Sequence, residues 1–145
     1  MYKPMATPAV NSSKSNTKNV DLAKKNPETW RIILGPMGQY SYTLNGTKLS
    51  GVFNGHGFAS DTAYNLVSYK NGDNVISLGT GSTNARGELH VINDAIDVGA
   101  AQEWTGDYKG QPAGYKIWVV PAVNVANGKL AWHPSAFLFE TSLAR

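Results

Sequence analysis

Apolar residues in this chain come in short runs broken by glycine, asparagine and proline, a pattern that predicts many short strands joined by tight turns and no long amphipathic helices. "WRIIL" (Trp30–Leu34) reads as a first strand that "GPMG" ends by turn chemistry. "QYSYTL" and "TKLSGVF" flank Asn45-Gly46, a hairpin signal because a type I′ turn needs positive φ at both central residues. Asn54-Gly55, Asn71-Gly72 and Asn127-Gly128 repeat the device, and "TAYNLVSYK" and "NVISLGTGST" pair across Asn71-Gly72. "ELHVI" follows "NARG", "YKIWVVPAV" is apolar at successive positions and is predicted as a central strand, and "FLFETSL" closes the set. About eight strands at this spacing predict one all-β domain, a β-sandwich of jelly-roll or immunoglobulin-like topology. The segment 97–114, "DVGAAQEWTGDYKGQPAG", reads as a long loop with a short helical turn at Ala100–Trp104.

Composition divides the chain into two parts. Residues 1–28 have few large apolar side chains and are rich in Ser, Asn, Thr, Lys and Pro, so alone they cannot bury enough surface to offset their ordering entropy. They are predicted as a flexible N-terminal extension ahead of a sandwich domain at 29–145. The extension carries five lysines against Asp21 and Glu28, 5 − 2 = +3, while residues 29–145 hold eight basic and eight acidic side chains and are neutral. A neutral domain favours self-association, and the absence of a basic stripe argues against nucleic acid as a partner. There is no cysteine, hence no disulfide or thiolate metal site, and no apolar run long enough to span a membrane. The N-terminus lacks the apolar centre of a signal peptide, so a secreted protein would be represented here in its mature form.

The candidate chemistry is sparse. "GTGST" (Gly79–Thr83) lacks the Lys-Ser/Thr pair and the following helix of a phosphate loop and reads as a glycine-rich strand end. His56, His90 and His133 show no paired ligand spacing, and His56, between Gly55 and Gly57, reads as a corner of the chain. Most carboxylates sit in turn-like text, and no catalytic motif appears, so the chain is not read as an enzyme. The oxygen-rich positions Asp94, Asp97, Glu103 and Asp107 are the candidate calcium ligands. Trp104, Tyr108 and Trp132 lie in loop-like text and could stack on a sugar, whereas Trp118, inside "KIWVV", is read as core. Asn11-Ser-Ser and Asn45-Gly-Thr match the acceptor pattern for N-glycosylation.

"FNGHGF", "TAYNLVSYK", "GELHV", "YKIWVVPA" and "AWHPSAFLFE", in this order, resemble a secreted all-β domain of extracellular proteins in archaea and some bacteria, over about residues 38–140. An extension ahead of such a domain is similar to the layout of cannula-type tubule subunits and related fibres. That resemblance implies that the extension of one subunit completes the sheet of the next, with calcium assisting. The resulting expectation is an extracellular structural protein that assembles with itself into a filament or tubule by donor-strand exchange. The strand would be donated from "TPAV" and "NVDLA", through Thr7, Val10, Val20, Asp21 and Leu22, because an incomplete sheet exposes both an apolar groove and unpaired backbone groups. The alternative is a cell-surface module that binds glycan or calcium.

Overall fold

The computed structural model describes residues 17–145, which form two antiparallel sheets packed as a β-sandwich. The strands are β1 (Lys18–Lys25), β2 (Ile32–Asn45), β3 (Lys48–His56), β4 (Ala63–Asn71), β5 (Asn74–Ser82), β6 (Leu89–Asp97), β7 (Lys116–Pro121), β8 (Val125–Ala126), β9 (Lys129–Leu130) and β10 (Phe139–Glu140). One sheet has the order β10-β1-β2-β3-β6 and the other β7-β4-β5-β9-β8. Among the described residues no helix is long and apolar enough to cross a membrane.

Turn chemistry explains most of the connections, with changes of detail. Asn45 pairs with Lys48 and Asn71 with Asn74, so each hairpin loop is the glycine and the residue after it, and only Gly46 and Gly72 take positive φ. Both central residues have positive φ at Asn127-Gly128, which joins β8 to β9. Asn54-Gly55 is no turn but lies inside β3, where a side chain on Gly55 would collide with the Phe53 ring. His56 ends β3 and is followed by Gly57 at φ 85°, the corner expected of it. "GPMG" does not end a strand: β2 continues through it, but its register with β1 jumps from Ile32↔Lys25 to Met37↔Ala23. The intervening residues bulge outward and leave Leu34 93% exposed. The glycines of "GTGST" lie in β5, where Cβ atoms on Gly79 and Gly81 would press on the backbone of β6 at Ile92 and His90. No helical turn forms at Ala100–Trp104; Gln102 instead bridges Gly114, closing the loop on itself.

The largest correction concerns the extension. Residues 18–25 are not a flexible tail in this fold but β1, held between β2 and β10, with Val20 opposite Tyr40 and Leu22 opposite Glu140. Val20 and Leu22 are buried and Asp21 is exposed beside Gln39, the alternation of a half-buried strand. The sandwich therefore includes residues before 29, because β2 and β10 supply ladder partners that composition alone cannot reveal. Thr7, Val10 and Asn11 lie outside the described residues.

Two apolar clusters hold the fold. The first lies between the sheets and includes Val20, Leu22, Tyr40, Leu49, Phe53, Leu66, Val91, Ile117 and Val119. The second covers the other face of β4 and β7 and includes Val67, Trp118, Val120, Leu130, Phe137 and Phe139. This explains why "KIWVV" is apolar throughout: β7 is last in its sheet, not central, yet it is covered on both faces. Inside the first cluster Tyr40 donates to Asn93 Oδ1 at 2.6 Å, and the Asn93 amide donates to the Leu49 carbonyl at 2.8 Å, satisfying the buried polar groups.

Candidate functional site

Where the second cluster meets the surface it opens into a cleft of about 380 Å³, within the size range of small-ligand sites. Trp30, Tyr69, Trp118, Trp132 and Phe139 form its apolar walls, and Lys25, Asp107, Lys116 and Glu140 supply its charged groups. Six parts of the chain contribute: the end of β1, the β1–β2 loop, β4, the 99–114 loop, β7 and the segment 131–140.

The β1–β2 loop is shaped by Asn26. Its side chain accepts from the Glu28 N–H at 2.8 Å, its carbonyl accepts from the Trp30 N–H at 2.7 Å, and its own N–H donates to the Arg31 carbonyl at 2.8 Å. These bonds hold Trp30 at φ 59°, a conformation that bulky side chains rarely adopt and that costs about 1–3 kcal/mol. The result is an indole 47% exposed at the rim, edge-on to Phe139 with centroids 5.3 Å apart and 6.2 Å from the ring of Trp132. Trp132 is itself 56% exposed. Trp118 lies behind both, stacked on Tyr69 at 4.3 Å.

At the base of the cleft is Glu140, buried in β10. Its Oε1 accepts from Trp118 Nε1 at 2.6 Å and its Oε2 accepts from the Tyr108 hydroxyl at 3.1 Å. The Lys25 ammonium is 3.7 Å from Oε2. Burial pushes the Glu140 carboxyl above its ordinary pKa of 4.5, with Lys25 and the Trp118 bond acting in the opposite sense. Burial, and then the charge of Glu140, likewise push the Tyr108 phenol up. Lys116 pairs with Asp107 at 3.3 Å and lies over the rings of Trp104 and Tyr108 at 4.7 and 5.5 Å.

Of the three aromatic residues singled out from the sequence, Trp132 lines the cleft, whereas Tyr108 and Trp104 contact lining residues. Trp132 is the exposed platform, while Tyr108 is buried as a donor to Glu140. Trp104 stacks on Tyr69 and donates to the Gly114 carbonyl at 3.0 Å. Trp118 is core and cleft wall at once. Trp30, Lys25 and Glu140 were not legible as site residues; the one signal for Glu140 was a lone acid inside the apolar run "FLFE".

The candidate calcium ligands do not gather. Asp94 accepts from Ser50, Asp97 accepts from the Gly99 N–H, which holds its carboxyl below the ordinary range, and Asp107 is engaged with Lys116. Glu103 is exposed, and among the described residues no group of three or more His, Asp or Glu is placed to hold a metal ion. A second hollow, lined by Asn54, His56, Asn84, Glu88 and His90, is polar and internally bonded. Asn84 donates to Glu88 at 2.7 Å, and a His90 ring nitrogen lies 2.5 Å from Asn54 Oδ1. Comparison of the chain with protein-family models, with curated proteins and with solved structures returns no match.

Proposed function

We propose that the chain is an extracellular sugar-binding β-sandwich module whose site is the cleft between Trp30 and Trp132. The observation that carries this reading is two half-exposed indoles set beside a buried, hydrogen-bonded carboxylate. A pyranose ring has an apolar C–H face and a hydroxyl edge; the indoles suit the first, and the charged groups at the base suit the second. Binding fits better than hydrolysis, because both Glu140 oxygens are engaged and Asp107 is tied to Lys116, leaving no free pair of acids. The resemblance to secreted β-domains supports a place outside the cell or at its surface. Titration of a glycan panel against tryptophan fluorescence tests it. Trp132→Ala removes a half-exposed ring at the rim and should weaken binding by about tenfold, from roughly 1.4 kcal/mol of lost stacking area, with thermal melting of the variant to show that the fold is retained. Equal affinity in the variant, or no binding across the panel, removes the reading.

A different observation supports self-assembly. β1 joins β2 through the short Asn26–Arg31 loop, and in and just after that loop Trp30, Ile32, Ile33, Leu34 and Met37 are all exposed apolar side chains. If the loop opened, β1 could leave its own sheet and fill the same place in a neighbour, carrying Val20 and Leu22 with it, and repetition would give a filament or tubule. The test is electron microscopy and sedimentation of the full chain over a range of concentrations, with calcium and with chelator. Polymers are expected, and a chain that stays monomeric in every condition overturns exchange.

A further inference from the structure

The cleft leaves one charged group poorly served. Glu140 has two neutral donors, and Lys116 has Asp107 and two aromatic faces. Lys25 lines the same cleft with its side chain only 12% exposed, and its one ionic partner, Glu140 Oε2, is 3.7 Å away. That separation is beyond hydrogen-bond length, and Lys25 makes no hydrogen bond to any described residue. An ammonium carries three donors, and this one lines the cleft with no described acceptor within hydrogen-bond length, so the spare capacity of the site is that of a cationic donor.

We propose that the ligand is a sugar bearing a carboxylate, a uronic acid residue, with its carboxylate bonded by Lys25 and its ring against Trp30 and Trp132. This rests on the sugar-binding reading of the cleft and adds the ligand's charge to it. A hydroxyl would also accept from Lys25, but a charge-assisted bond is about twice as strong as a neutral one. The cleft wall strengthens it further by excluding water. Glu140 opposes an incoming anion, but its charge is already shared by Trp118 and Tyr108, and Lys25 lines the cleft within ionic reach of it. Lys116 also lines the cleft, but its charge is paired with Asp107, which leaves Lys25 as the cation for the ligand.

The test uses the full chain and matched probes: trisaccharides of galacturonate, glucuronate and mannuronate against the neutral trisaccharides of the same sugars and linkages, by calorimetry at low and high salt. At least one uronate should bind about tenfold more tightly than its neutral partner, with the gap narrowing as salt rises. Lys25→Gln should lose that preference, and Lys25→Arg, which keeps the charge, should retain it. If neutral and acidic sugars bind alike, or if Lys25→Gln keeps the preference, the inference is wrong while the sugar cleft stands. If no sugar of either kind binds, the reading of the cleft falls with it.

Discussion

A chain lacking residues 1–25 should fail to form the sandwich. Truncation removes β1 and with it Val20 and Leu22, both almost fully buried between the sheets. Burial of two such side chains is worth about 1.5–3 kcal/mol each, against a total stability of about 5–15 kcal/mol for a domain of this kind. The loss goes further than side chains, because among the described residues β1 alone lies between β2 and β10, and its removal leaves both strands with unpaired backbone groups over an open core. Circular dichroism and thermal melting should show no cooperative transition for the truncated chain. A peptide of residues 17–31, added in excess, should restore one by mass action. A truncated chain that melts cooperatively within a few degrees of the full one would show that β1 is dispensable. Restoration by peptide would also show that the slot accepts a strand from another molecule, which strand exchange needs.

Glu140→Ala is expected to be the most damaging single substitution at the cleft. It leaves the Trp118 N–H, the Tyr108 hydroxyl and the Lys25 ammonium without their common partner, and breaking a buried charged contact in this way costs about 3–5 kcal/mol. Glu140→Gln keeps the size and an acceptor oxygen, and it separates the charge from the packing. Because the folded state raises the Glu140 pKa, the folded chain binds the proton more tightly than the unfolded one. The stability from this group is then fully present below the ordinary value of 4.5 and is lost as pH rises through the raised value. Denaturation by urea at a series of pH values should therefore show the Gln variant gaining on the natural chain as pH rises from 4.5, with the gap closing towards acid. A gap independent of pH, or one that widens towards acid, would mean that burial does not govern this carboxyl.

Much of the fold was legible because it depends on local chemistry. Alternating and β-branched runs marked β3 to β7, and glycines able to take positive φ marked the hairpins at Gly46, Gly72 and Gly128. The failures share one cause, which is that a local signal was overruled by what the chain meets elsewhere. Asn54-Gly55 looks like a turn but sits in β3, since Gly55 is needed where Phe53 crowds the backbone. "GPMG" looks like a stop but forms a bulge within β2.

The cleft divides in the same way. Trp104, Tyr108 and Trp132 stood out as aromatics in loop-like text, a property of residue type and neighbours. The sequence does not say that Tyr108 faces inward, where it donates to the buried Glu140 carboxylate, while Trp132 lies half-exposed at the rim. Glu140, Lys25 and Trp30 come from opposite ends of the chain, and only the pairing of β1 with β10 brings Lys25 and Glu140 together. By itself the sequence determined an all-β chain with its hairpins and its apolar strands, because strand preference and turn geometry act over a few residues. The tertiary structure decided that residues 18–25 belong to the sandwich, and that three tryptophans, two lysines and two acids share a cleft, because burial and ladder pairing depend on partners more than a hundred residues away.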